Sequence, residues 1–228
     1  MFLPGSNVAG DLACMKRILR GAVFMRGPVQ SKRWSSVGWL PRKVCGVCGI
    51  LAPLLALVFI WAAIAIHPWF NFPGHALSAL GALKAQQHWV YNLGMILVGS
   101  TGIVFASGVP ALANSLLGIG GVGVFAAGFL NLVLVGIFPG GTGPHNTVSM
   151  LFFLLSTIGI LLLGIDQLLD RKTRPWGVLL ISLIALGLTS VLLVGTIEHL
   201  GAAIPETIGA FAFSEFSIVF GLRLLGLL

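Results

Sequence analysis

Charge is scarce in this chain. Only 8% of its 228 residues are Asp, Glu, Lys or Arg, and just six are acidic. A soluble domain usually carries about 25% charged residues. So few cannot keep a surface wet, and with 57% hydrophobic residues a soluble globular protein is excluded. Cysteine is scarce too. The three present, Cys14, Cys45 and Cys48, are too few for a disulfide framework. Cys45 and Cys48 open an apolar stretch and do not follow a strand, so they read as small residues on a membrane helix, not as a redox pair. No apolar run before Val44 is long enough for a secretory signal.

Long apolar runs are what the chain has in abundance. Crossing the hydrocarbon layer takes about 20 residues of helix. Six stretches qualify: 44–66, 88–107, 115–138, 146–168, 176–197 and 205–227. The expected fold class is therefore an all-α integral membrane protein with six transmembrane helices. Eight of the thirteen Lys and Arg precede residue 44. Basic residues collect on the cytoplasmic side, so this tail is expected inside. Six spans then return Arg171, Lys172, Arg174 and Arg223 to the same side and leave only Lys84 outside. Both termini are expected in the cytoplasm of a multi-pass cell-membrane protein. Residues 1–43 read as a flexible basic tail, and 44–228 as the transmembrane domain. Topology accounts for the net charge of +7, so no nucleic-acid partner is implied. The lipid bilayer is the first partner, with a membrane-protein partner or a homo-oligomer as the second.

The polar residues gather on the expected outer side. His75 and Ser78 lie between the first two spans, Tyr91 and Asn92 at the start of the second, His145 and Asn146 after the third, and Glu198, His199 and Glu206 before or at the start of the sixth. These nine are the candidate lining of an outward-facing pocket. After Pro73, apolar residues at Ala76, Leu77, Leu80 and Leu83 predict a short interfacial helix along the outer surface. Two polar residues fall near mid-membrane, Asn131 and Glu215. A carboxyl group there is costly and is a functional candidate by default, with Asn131 as a donor at similar depth.

Gly118-Ile119-Gly120-Gly121-Val122-Gly123 matches the dinucleotide-binding pattern G-x-G-x-x-G. The pattern needs a preceding strand and an acidic residue about 20 positions on. Neither is present. Gly120, Gly123 and Ala127 instead share one helical stripe leading to Asn131, which reads as a groove for a neighbouring helix.

Several short elements resemble one family. They are Ser78-Ala79-Leu80-Gly81, Tyr91-Asn92-Leu93-Gly94, Gly136-Ile137-Phe138-Pro139 followed by His145-Asn146, and Ala203-Ile204-Pro205-Glu206. In order and spacing they are similar to the "domain of unknown function 998" family of polytopic prokaryotic membrane proteins. The last element is similar to archaeal relatives. The resemblance spans about residues 44–227. It implies no activity, substrate or cofactor.

The residues favour an outer polar pocket for a small molecule, a lipid headgroup or a metal. A non-catalytic subunit or scaffold of a larger complex is the alternative, and a small transporter using Glu215 a third. A metal-dependent lipid hydrolase would need three or four ligands. The count of His and Glu suffices, but no H-x-x-x-H or H-E-x-x-H spacing organises them, so no metal site is assigned and the cofactor stays open.

Overall fold

The computed structural model describes residues 40–195, 197 and 201–228. Six long helices account for most of them: α1 (Arg42–Ile66), α2 (Trp89–Gly108), α3 (Leu116–Ile137), α4 (His145–Leu169), α5 (Arg174–Gly195) and α6 (Ala203–Leu225). All six are long and apolar enough to cross a membrane. No strand occurs among the described residues. Within a bilayer no water satisfies a free N–H or C=O, so an apolar run must take up its own backbone bonds as a helix.

Local chemistry sets the ends. Ser115 caps α3, its hydroxyl accepting the Leu117 N–H at 3.2 Å. Pro139 follows the end of α3 and Pro68 that of α1. α6 closes on Gly226, whose φ of 75° suits glycine and whose N–H returns to the Arg223 and Leu222 carbonyls.

Each helix packs on the one before it, and α6 returns to α1 to close the bundle. Phenylalanines fill the centre in a continuous run. Phe105 and Phe125 meet Phe216 with ring centres 5.6 and 4.9 Å apart; Phe125 leads to Phe129 at 4.6 Å, Phe129 to Phe152 at 5.9 Å, and Phe152 to Phe213 at 5.6 Å. Most are edge-on, the arrangement favoured by the ring quadrupole.

The crossing of α3 over α4 is set by glycine. A Cβ built on Gly121 would lie 2.8 Å from the Gly159 carbonyl oxygen, and one on Gly159 2.6 Å from the Phe125 nitrogen. The expected stripe of Gly120, Gly123 and Ala127 is one residue out of phase. Gly120 and Gly123 are exposed with nothing within 4 Å, and Ala127 is half-buried. Each residue turns a helix by about 100°, so the faces separate: Gly118, Gly121, Phe125 and Gly128 point to α4, while Gly120 and Gly123 point outward.

Two ends of the bundle differ in character. At the end where α1 begins and α6 stops, a polar knot joins three helices. The Asp166 carboxylate, 2% exposed, accepts the Asn114 N–H at 2.8 Å, the Ser115 hydroxyl at 2.5 Å and the Gln167 amide at 3.3 Å. Gln167 also donates to the Leu112 carbonyl at 2.9 Å, and Asn114 to the Thr173 hydroxyl at 2.8 Å. At the opposite end, residues 67–88 form a cap. Here the expected surface helix is replaced by a five-residue 3-10 turn, Leu77–Gly81. Leu77 and Leu80 are buried at 5% and 0% exposure, so the turn is plugged into the bundle and does not float on it.

Gly121→Leu should destabilise the protein in detergent by about 1–3 kcal/mol through overpacking. Gly123→Leu should stay within about 0.5 kcal/mol of the parent, as a change on an open face. Thermal unfolding of the purified variants compares them; equal losses would refute this assignment of faces.

Candidate functional site

The cap is tied down on every side. At the end of α1, the His67 ring nitrogens lie 2.6 Å from the Ala63 and Gln86 carbonyls. Asn92 of α2 donates to the Gly81 carbonyl at 3.0 Å and to the His88 ring at 3.1 Å. The Leu83 N–H reaches the Gly140 carbonyl in the α3–α4 connection at 3.2 Å. Ahead of α6 and at its first residue, Gly201 N–H donates to the Pro73 carbonyl at 2.6 Å and Ala203 N–H to that of His75 at 2.9 Å. Glu206 completes the join: its carboxylate accepts the Leu77 N–H at 2.7 Å, 129 positions away in sequence, and also interacts with the Ser78 backbone.

Beneath the cap lies a cavity of about 100 Å³. Pro53, Ala56 and Ile60 of α1 form one wall, Met95 of α2 and Phe129 of α3 another, and Phe152 and Phe213 a third. Its polar groups come from five side chains besides Glu206: Ser78, Tyr91, Ser149, Ser214 and Ser217. Ser214 and Ser217 donate back to their own helix, to Ala210 and Phe213 carbonyls at 2.7 and 2.9 Å. A second, apolar crevice of about 230 Å³ opens between α4, α5 and α6, lined by Thr157, Ile184, Leu188, Gly209 and Ala212. Phe153, Glu206 and Phe213 border both spaces. Glu206 thus stands at a junction between a central cavity and a gap in the side of the bundle.

Of the nine pocket residues read from sequence, Ser78, Tyr91 and Glu206 meet around this cavity. Asn92 and His145 are buried but work elsewhere. Asn92 holds the cap, as above. His145 Nδ1 is 2.8 Å from the Phe138 carbonyl, pinning the α3–α4 turn, while its Nε2 lies 3.5 Å from the Ser149 hydroxyl behind the cavity wall. His75 packs on the cap surface, stacked on Phe70 at 5.8 Å and edge-on to Trp69 at 5.2 Å. Asn146 is exposed. Glu198 and His199 lie outside the described residues. Among the described residues no three His, Cys, Asp or Glu gather as a metal would need.

The two mid-membrane residues are not brought together. Asn131 donates to the Ala127 carbonyl of its own helix at 2.9 Å. Glu215 is exposed on α6 and lines neither space. Sequence reasoning missed Ser149, Ser214 and Ser217. The signal available was their spacing: Ser214 and Ser217 stand at i+8 and i+11 from Glu206, on one face of α6.

Replacing Glu206 by Ala should leave the Leu77 N–H without its partner, at a cost of about 1–3 kcal/mol. Hydrogen exchange should speed up across Leu77–Gly81, and Glu206→Gln, which keeps an acceptor, should restore most of the protection. Unchanged exchange in the Ala variant would show that the carboxylate does not hold the cap.

Residues 50–223 match the family model described as "Protein of unknown function (DUF998)". No curated protein and no solved structure matches the chain.

Proposed function

The chain belongs to the DUF998 family of proteins of unknown function, and for it we propose a binding role: it takes up a lipid-like amphiphile whose head donates a hydrogen bond. The observation that carries this reading is the position of Glu206 at the border of both spaces. The crevice between α4, α5 and α6 admits a chain sideways from the bilayer, among Phe153, Ile184 and Phe213. The head, a hydroxyl or an amine, then meets the carboxylate. A carboxyl group has more than one acceptor site, and the Leu77 N–H takes one, so capacity is left for a ligand. Apolar walls with a few convergent polar groups are the usual make-up of a small-molecule site.

The arrangement of basic residues supports placing the cap end outside and both termini in the cytoplasm, because Lys84 is the only Lys or Arg of the cap. The site then samples the outer leaflet.

A long-chain alcohol such as farnesol, added to the purified protein at about 100 times its Kd, should stabilise it by about 2.7 kcal/mol. A hydrocarbon of equal length should not. Ala210→Trp, which fills the cavity, should abolish the shift in thermal unfolding. An equal response to the hydrocarbon, or an undiminished response in Ala210→Trp, would refute the reading.

Glu215 favours a second reading, a subunit of a larger membrane assembly. It stands midway along α6 on an exposed face, and a carboxyl group at that depth is rarely left to lipid. Glu215→Leu should then lower the mass of the particle extracted in mild detergent, measured by light scattering; an unchanged mass counts against it.

A further inference from the structure

The polar knot at the other end of the bundle has one member whose charge it does not satisfy. Arg223 lies in the last turn of α6. Its guanidinium carbon sits 4.6 Å from the centre of the Trp176 ring and 4.7 Å from that of Phe220. Both rings hold the cation by their negative faces. Its Nη1 donates to Gln167 Oε1 at 3.3 Å. That partner is a neutral amide. Gln167 in turn uses its Nε2 on Asp166, so it stands between the carboxylate and the guanidinium. The Asp166 oxygens are engaged by Asn114, Ser115 and Gln167. Among the described residues no carboxylate offsets the charge of Arg223.

Its surroundings add charge of the same sign. Arg171, Lys172 and Arg174 are exposed on the turn that leads to Trp176. Arg174 Nε donates to the Leu168 carbonyl at 3.3 Å, next to Gln167. Arg42 and Lys43 begin α1, and a Cβ on Gly46 of that helix would lie 2.8 Å from the Gly221 carbonyl, one turn from Arg223 or less. Besides Asp166, the acid of this end among the described residues is Asp170, which is half-buried and accepts the Lys172 N–H at 2.8 Å. Val178, one helical turn on from Arg174, and Leu227 and Leu228, which follow the last turn of α6, are exposed at 52%, 67% and 60%.

We propose that this end of the bundle binds the phosphate of an anionic phospholipid, with Arg223 as its direct ligand. A guanidinium presents a planar fork of donors that matches two phosphate oxygens. Here the fork is pre-oriented by two rings and an amide, so little side-chain freedom is lost on binding. Arg171, Lys172 and Arg174 supply the field that selects a net negative headgroup over a zwitterionic one. The exposed leucines and Val178 take the acyl chains, which a free phosphate would leave bare. This site is separate from the cap-end cavity, at the opposite end of α6.

The test is the thermal unfolding of the full chain in neutral detergent, titrated with phosphatidylglycerol, with phosphatidylcholine of the same chains, and with sodium phosphate. Phosphatidylglycerol should raise the transition temperature in a saturable way, and the other two should not. Arg223→Gln should remove the saturable shift, and Arg223→Lys should keep part of it. The exposed triple variant R171Q/K172Q/R174Q should fold and bind about fivefold more weakly for each charge removed. An undiminished shift in Arg223→Gln overturns the proposal, as does an equal response to phosphatidylcholine or an equal response to phosphate alone. Should Arg223→Gln fail to fold, the triple variant decides: undiminished affinity there overturns it equally.

Discussion

Lipid gives leucine no reward for meeting leucine. Apolar side chains are as well solvated by acyl chains as by each other, so a helical bundle in a membrane must cohere by close packing and by polar bonds shielded from water. That constraint accounts for how this protein is held. Backbones touch where glycine removes the side chain, at Gly121 on Gly159 and at Gly46 on Gly221. A run of phenylalanine rings fills what lies between the helices. Hydrogen bonds appear at the two ends, where chain segments leave the helices and their polar groups need partners.

The two ends solve that need differently. At one, a buried carboxylate gathers the starts and stops of α3, α4 and α5. At the other, backbone groups of residues 67–88 are tied to α1, α2, the α3–α4 connection and α6. The cap end therefore has a lid of main chain over an internal space, and the basic end has a sealed knot surrounded by cations. α5 is the least embedded member of the bundle, with Leu186 and Leu192 exposed at 67% and 71%. The crevice beside it follows from that loose seat. A ligand bonded to Glu206 beside the Leu77 N–H would add to the hold on the lid it sits under, so its binding would be linked to cap stability.

Much of the fold was legible because it is written in composition. The six helices fall within a few residues of the apolar runs, and the family suggested by four short elements is the one whose model matches. Side-chain placement was legible only in part. Ser78, Tyr91 and Glu206 come together because each lies at a helix start or in the cap, where proximity follows from topology. Asn92 follows Tyr91 directly and His145 heads α4, yet the amide and the ring are spent on the carbonyls of Gly81 and Phe138, and no pattern of residue types announces that. The cap turn resembled a surface helix because Leu77 and Leu80 repeat at helical spacing. The same spacing serves a turn pushed inward. Asp166 lies inside the fourth apolar run with its partners Asn114 and Ser115 52 and 51 positions away, so no local pattern marks it, though it is among the most buried polar residues described.

Gly118-Ile119-Gly120-Gly121-Val122-Gly123 is no nucleotide site, yet its likeness to one is not pure accident. A Cβ on Gly118 would lie 2.5 Å from Asp166 Oδ2. The glycine at the start of α3 leaves room for the Asp166 carboxyl group, as glycine leaves room beside a bound phosphate. In this chain that group is supplied by α4 of the same polypeptide. Gly121 then answers a separate demand, the approach of α4 along its length. Gly121 is not among the three glycines the pattern matches, and the other two, Gly120 and Gly123, face outward with nothing within 4 Å. The likeness rests on Gly118 alone, the one place where leaving out a side chain lets a carboxyl group of the same chain close on the start of a helix.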